Sequence, residues 1–311
     1  MQKRALTVGN LQVENNIFLA PMAGYTDYSI RHLQIQQGVG LAFTELVSAK
    51  GLMYGGEGSK ELLYSGADVD KTAVQLFGAD ENFMRAACES EYLSPFKIVD
   101  INMGCPVPKV FKNGEGSALL TDIKKAEKIV KECVKSNKII TVKIRTGQRQ
   151  GDDVAADFAL MAECSGASLI TIHGRVREAY YSGEVDFNAI EKAKKAVKIP
   201  VIANGGIFTE EDAEQIMLKT GADGVMLARG AIADPFLVNK LLKTDNKISL
   251  KEYMILHIKL SASRYGEQKA AREFRKFISY YFKGMSGVKQ LKLNLLQAES
   301  TDQILQLLQE L

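Results

Sequence analysis

The sequence predicts an α/β fold, a (β/α)8 TIM barrel followed by a small all-helical C-terminal domain. Three observations predict it. Eight short β-rich apolar runs recur along the chain, amphipathic helical stretches lie between most of them, and after Pro235 helical periodicity continues with no strand in between. The runs are NIFLAPM, GLAFTEL, KTAVQLFG, FKIVDINMG, IITVKIRTG, SLITIHG, IPVIANGG and ADGVMLARG. Apolar runs that are continuous rather than alternating imply a sheet covered on its outer face, and strand–helix alternation implies parallel order. Eight such units before Lys243 point to a closed barrel. A doubly wound sheet is the alternative, but no GxGxxG follows the first strand.

The intervening helices include TDIKKAEKIVKECVKS, GDDVAADFALMAECSG, DFNAIEKAKKAVK and TEEDAEQIMLKTG. Thr121 and Thr209 precede acidic first turns, as N-caps do, and Gly166 and Gly221 follow helices where a left-handed C-cap is wanted. SLKEYMILHIKLSASRYG, KAAREFRKFISYYFKGMSG and TDQILQLLQEL read as three helices at 3.6 spacing. The expected division is a catalytic barrel over 1–242 and a helical domain over 243–311.

Composition excludes more than it identifies. With 46% hydrophobic and 25% charged residues in 311, the chain has the profile of an ordinary soluble globular protein. The N-terminus lacks an apolar core of signal-peptide length, and no stretch approaches the roughly 20 apolar residues that span a bilayer. A cytoplasmic location without membrane attachment is expected. Cys88, Cys105, Cys133 and Cys164 form no CxxC and lie near no His at ligand spacing, so no metal site is expected. Cys88, Cys133 and Cys164 sit in helical segments as small buried hydrophobes. Cys105, in DINMGCPVPKV, has a loop context and is open to packing, metal binding or chemistry. The net charge of +3 conceals an asymmetry, because from Lys240 onward 13 Lys or Arg face 7 Asp or Glu. Such a tail suits a polyanion such as RNA, or is simply a solvated helix surface.

In a barrel the C-terminal strand ends and the loops after them build the active site. Reading those ends yields Pro21, Met22 and Ala23, then Glu45, Gln75, Asn102 with Cys105, Lys143 with Arg145, and His173 with Arg175. The seventh and eighth strands contribute Asn204, Gly205 and Gly206, then Ala228, Arg229 and Gly230. Buried polar groups are costly without partners, so this concentration is not how a core is assembled. NGGI and ARG let the backbone approach an anion closely at the two loops where barrels commonly hold phosphate, with Arg229 as a charged clamp. Gln75 and Lys143 flank Asn102. An amide and an ammonium there suit the carbonyl and ring-nitrogen edge of a flavin, which with the phosphate loops favours FMN.

APMAGYTD, QLFG, DINMGCPVPKV, GSALL, TVKIRTG, TIHGR, YSGEVDF, IANGGI and ARGAIADPF, in this order, resemble the tRNA-dihydrouridine synthase family over essentially the whole chain. The resemblance implies FMN-dependent reduction of uridine in tRNA to dihydrouridine, with NADPH as electron donor and a helical domain that contacts tRNA. By matching motif, Pro21, Met22, Ala23, Gln75, Lys143, Asn204, Gly205, Gly206, Ala228 and Arg229 would hold FMN, and Cys105 would be the catalytic acid. Asn102 and His173 resemble positions facing the flavin and the target base. Family members often carry glycine where this chain has Ala228, and NGD where it has NGGI.

Hydride transfer from flavin N5 to C6 leaves negative charge on the uracil, and a thiol can supply the proton to C5 from the opposite face. A thiol pKa near 8.5 leaves cysteine mostly protonated at neutral pH yet acidic enough to act. Gly104 would allow a tight turn, and Pro106 and Pro108 would stiffen the loop against becoming helix. Lys109 is expected to face RNA phosphate. Arg145, Arg175 and Arg177 are further substrate-side candidates, with Arg272 among the C-terminal cations Arg264, Lys269, Arg275 and Lys276. Tyr25, Tyr180 and Tyr181 are candidate platforms for a base extruded from its stack. The chain is expected to act as a monomer. The alternatives are ribosomal RNA as substrate, a barrel flavoenzyme acting on a free pyrimidine, and a non-catalytic RNA-binding protein.

Overall fold

Short strands and their pairing define the architecture. A computed structural model describes residues 4–311, so the first three residues of the expected barrel domain lie outside the described residues. β1 (Leu6–Val8) and β2 (Leu11–Val13) form an antiparallel hairpin. The other strands are β3 (Ile17–Leu19), β4 (Leu41–Phe43), β5 (Val47–Ser48), β6 (Thr72–Phe77), β7 (Ile98–Met103), β8 (Ile139–Arg145), β9 (Leu169–His173), β10 (Val201–Asn204) and β11 (Gly224–Leu227). They run parallel in the order β4-β3-β11-β10-β9-β8-β7-β6-β5, and pairing of β4 with β6 closes the ring. β5 resumes the second stave after a break and pairs with the end of β6. Eight staves result, one for each apolar run, and the doubly wound alternative is excluded.

Period-two alternation explains where the polar residues go. Outward residues such as Val74, Ile101, Val142 and Ile172 are fully buried under the helical layer. Inward residues are apolar at the N-terminal end of the barrel, where Phe18, Phe43, Ile98, Leu169, Ile202 and Met226 form a second core. Toward the C-terminal end the same face carries Gln75, Asp100, Asn102, Thr141, Lys143 and His173. The β1–β2 hairpin caps the apolar end, with Val8 fully buried in that inner core. Strands of only three residues gave no periodicity from which to read the hairpin, although Gly9, at φ +61°, marks its turn.

Helix termini follow local chemistry with two corrections. Thr209 caps the Glu210–Thr220 helix in a capping box with Asp212, and Gly221 ends it at φ +64°. The Ile123–Val134 helix is capped by Asp122, which accepts from Lys125 N–H, and not by Thr121, which closes the preceding 3-10 turn. Pro108 starts a helix, Pro108–Lys112, because its fixed φ suits a first helical position. Cys88 and Cys133 are buried as expected, whereas Cys164, the last residue of the Ala155–Cys164 helix, is exposed.

The C-terminal region has four helices where three were expected: Leu250–Tyr265, Glu267–Tyr281, Lys289–Gln297 and Thr301–Gln309. Lys289–Gln297 buries only Leu295, too little apolar surface to leave a stripe in the sequence. Ile258, Phe274 and Leu308 belong to the same contiguous core as the barrel's outer layer. Ser261 Oγ donates to Ser29 Oγ at 3.0 Å and Gln34 Nε2 to the Tyr253 hydroxyl at 3.1 Å, binding the helices to the barrel's first helix, Tyr28–Gln36. Among the described residues no helix is long and apolar enough to cross a membrane, and no group of three or more His, Cys, Asp or Glu is placed to hold a metal.

Because Val8 closes the inner core, Val8→Ala is expected to cost about 1–2 kcal/mol. A lowered urea midpoint with an unchanged slope would show this, and a midpoint equal to wild type would show that the hairpin does not seal the barrel.

Candidate functional site

The inward polar residues at the C-terminal end of the barrel are linked by register. β6, β7 and β8 align Gln75 with Asp100 and Asp100 with Thr141, and two residues on Asn102 lies beside Lys143. All of these positions face the barrel axis. Asp100 is fully buried, accepting from Gln75 Nε2 at 2.7 Å on one carboxylate oxygen and from Thr141 Oγ1 at 2.6 Å on the other. Gln75 Oε1 accepts from Asn102 Nδ2 at 2.8 Å, and Asn102 Oδ1 accepts the backbone N–H groups of Cys105 at 2.9 Å and Gly104 at 3.2 Å. Burial raises Asp100 to about 6, against the lowering pull of those two hydrogen bonds and of Lys143. It is therefore ionised at neutral pH.

The Cys105 loop is held from the other side as well. Cys105 O accepts from Ser117 Oγ at 2.8 Å and Ser117 N–H at 3.2 Å. Gly116, at φ +59°, approaches so closely that a Cβ there would lie 2.9 Å from Cys105 Cβ. This is the physical content of GSALL. Arg145 Nε donates to Gly104 O at 2.9 Å, and its Nη1 donates to Val176 O and Tyr180 O, tying the loop to the segment after β9. Gly104 has no positive φ, so the turn does not require glycine there. Burial pushes the Cys105 thiol above its ordinary range, opposed by the Val107 backbone and by Arg145. Lys109 is exposed and is not among the groups that shift it.

Opposite this loop lie the glycine turn and a set of cations. Gly205 and Gly206 have φ of +119° and +70°, and a Cβ on Gly205 would meet His173 Cδ2 at 2.9 Å. Among the described residues the N–H groups of Gly205 and Gly206 donate to no protein acceptor. Asn204 Nδ2 donates to Met226 O, which turns its Oδ1 to accept from Lys143 Nζ at 3.0 Å. Burial, with Arg145 adding to it, brings Lys143 down to about 7, and burial lowers Arg145 to about 10. His173 is held well below its usual pKa by burial and then by Arg145, Lys143, Arg175 and Arg229, so the ring is neutral. Arg229 stacks over Tyr181 at 5.0 Å, and Arg175 donates to Gly183 O. Ala228, where the family often carries glycine, stands at φ −127° and ψ −111° immediately before the Arg229–Ala233 helix.

These groups line one cavity of about 510 Å³. Its walls include Pro21, Met22, Ala23, Asn102, Cys105, Lys143, Arg145, His173, Arg175, Asn204, Gly205, Gly206, Ala228 and Arg229, all singled out in the sequence. Gln75 is placed differently. It is fully buried and absent from the cavity wall, donating to Asp100 and accepting from Asn102. Lys109, Arg177 and Arg272 lie outside the lining; Arg177 covers the Phe111 ring at 3.8 Å, and the Arg272 side chain is 70% exposed. Tyr25 and Tyr181 reach the cavity while Tyr180 does not. Sequence reasoning missed Asp100, which read as one more residue of an apolar strand. It also missed Tyr280, which the helical region contributes to the wall and which only the packing of that region on the barrel reveals.

The family model described as "Dihydrouridine synthase (Dus)" matches residues 18–311. The "Probable tRNA-dihydrouridine synthase" of Rickettsia conorii is 36% identical over 291 residues, covering 90% of this chain and 88% of its own. The "tRNA-dihydrouridine synthase B" of Vibrio cholerae is 33% identical over 314 residues, covering 98% of each. Among solved structures, histamine dehydrogenase from Rhizobium sp. 4-9 superposes with a TM-score of 0.58 at 14% identity over 82% of this chain. A 2-naphthoyl-CoA reductase complex does so with 0.61 at 12% over 77%. The chain spans about half the length of each of these two structures, 50% and 52%. They share its barrel fold.

Burial of the thiol predicts an order of reactivity. Iodoacetamide at pH 7.5 is expected to label exposed Cys164 before Cys105, whose labelling accelerates only above the ordinary thiol value of about 8.5. Peptide mass spectrometry that found Cys105 labelled first at pH 7.5 would contradict a raised thiol pKa.

Proposed function

The chain belongs to the dihydrouridine synthase family, and from that premise we propose that it is a tRNA-dihydrouridine synthase whose cavity holds FMN and whose Cys105 protonates the target uracil. One observation carries this reading: a half-buried, protonated thiol shares a single cavity with a partner-free glycine turn and with Lys143, Arg145, Arg175 and Arg229. Three arginines, and a Lys143 that an anion would draw to its charged form, surround a neutral histidine above one buried carboxylate and suit a bound anion.

The residues fit a phosphorylated flavin. Gly205 and Gly206 offer N–H donors that no side chain covers, and Arg229 flanks them as a charge clamp. Lys143, at the cavity floor with its Nζ on Asn204, supplies positive charge toward the ring. Pro21, Met22 and Ala23 form an adjacent wall. When bound, FMN would supply the hydride to C6 of the uracil, with NADPH as the proposed electron donor. Cys105 gives its proton to C5 and is reprotonated from solvent. Burial keeps that proton on sulfur through neutral pH, and the bonds to Asn102 and Ser117 keep the loop from drifting.

A uridine inside folded RNA must leave its stack to reach the thiol. Tyr181 and Tyr280 at the wall, Arg177 on Phe111, exposed Lys109 and exposed Arg272 are the groups proposed to meet the RNA. Four further C-terminal cations singled out in the sequence are engaged within the protein. Lys269 pairs with Glu61 at 2.9 Å, Lys276 pairs with Glu273 and donates to Gly24 O, Arg275 donates to Ala298 O, and Arg264 stacks on Tyr64. They dock the helices on one another and on the barrel. The contribution of Tyr280 to the cavity wall favours the RNA reading over a free pyrimidine, with residues 243–311 as the RNA-binding part.

Cys105→Ala is expected to lower dihydrouridine formation on unmodified tRNA by roughly 10²–10⁴-fold, the usual worth of a general acid. Flavin absorbance and tRNA affinity should stay at wild-type values. Turnover at the normal rate would remove Cys105 from the chemistry.

A further inference from the structure

We propose that Asp100 is a positioning residue for Cys105, acting through Gln75 and Asn102. This deepens the reading above, and rests on it, by adding a residue behind its acid. The basis is directional. An ionised carboxylate only accepts hydrogen bonds, while a side-chain amide has one donating and one accepting end. Asp100 therefore turns Gln75 Nε2 toward itself at 2.7 Å. That leaves Gln75 Oε1 facing Asn102, which must present its Nδ2, at 2.8 Å. Asn102 Oδ1 is then directed at the N–H groups of Gly104 and Cys105. Were the chain reversed, an NH2 group would face two N–H donors, and buried donors would be left unpaired.

The other groups around Asp100 do not set this direction. Thr141 donates to the second oxygen of Asp100, and a hydroxyl would serve either polarity. Gln75 and Asn102 are each reversible on their own. Asp100 closes one end of the relay with a fixed sense, as the Gly104 and Cys105 N–H groups close the other, and it is 0% exposed, so water does not substitute for it. The carboxylate thus favours one sense of a relay that reaches the Cys105 N–H through two intervening side chains.

The test exchanges the two ends of the relay. In Asn102→Asp, residue 102 becomes acceptor-only and demands the reverse orientation of Gln75, which then confronts Asp100 acceptor to acceptor. Amide hydrogen exchange at Gly104 and Cys105 is expected to quicken by roughly tenfold or more, one hydrogen bond's worth. Asp100→Asn alone allows both orientations and is expected to stay within about threefold of wild type. In the double variant Asp100→Asn/Asn102→Asp, the amide introduced at position 100 donates to the turned Gln75, and protection returns to within about threefold of wild type. Repeating the set with Gln75→Leu separates the relay from simple repulsion between carboxylates, because rescue by Asp100→Asn is then lost.

Strand amides of Ile140 and Val142 give the internal reference. If the double variant exchanges as fast as Asn102→Asp, or rescue persists without Gln75, the relay is wrong. If the reference amides lose protection together with the loop in Asn102→Asp, the relay has no specific hold on Cys105, and the proposal also fails. The readout is independent of turnover, so it stands apart from whether RNA is the substrate.

Discussion

A single amide carbonyl, Asn102 Oδ1, carries the arrangement of this site, because it accepts the N–H groups of Gly104 and Cys105 just where β7 ends. Without it the segment leaving the strand has no partner on its barrel side. Ser117 holds the same segment from behind through Cys105 O, and Arg145 holds it laterally through Gly104 O. Three independent elements thus converge on one loop. What they position is a thiol with little freedom to move and little tendency to ionise. Preorganisation of this kind would remove from the proposed reaction the cost of ordering its acid.

The barrel makes that convergence possible by closure. Each stave presents alternate residues inward, and the inner face changes from apolar to polar along its length. Sealed by the hairpin at one end, the interior is dry enough for Lys143 to fall to about 7 and for His173 to be neutral. Concentrating cations in such a place costs stability unless an anion answers them. The partner-free glycine turn beside them and the positive surroundings therefore point to the same occupant, one carrying phosphate.

Much of this was legible in the chain because it depends on local pattern. Eight apolar runs became eight staves, and the residues at their ends converged on one cavity, since the position of a strand end in a barrel follows from chain order alone. Thr209 and Gly221 were readable as caps for the same reason. What escaped reading depends on partners distant in sequence. Asp100 looks apolar by company, and only alignment of β6, β7 and β8 shows what its carboxylate holds. The bonds of Gln75 to Asp100 and Asn102 were not legible, because those partners lie on an adjacent strand. Lys269 and Lys276 counted as free positive charge until their partners Glu61 and Glu273 and the Gly24 carbonyl were placed. Cys164 escaped because helical periodicity is weakest at a terminus.

The most direct measurement is the fate of solvent hydrogen. In heavy water, where both the thiol and N5 of a reduced flavin exchange with solvent, protonation of the uracil opposite the incoming hydride leaves one deuterium on C5 and one on C6, trans to each other. Nuclear magnetic resonance of the isolated dihydrouridine reads this directly. A cis pair of deuterons, or a C5 that gains no deuterium, would contradict Cys105 as the acid.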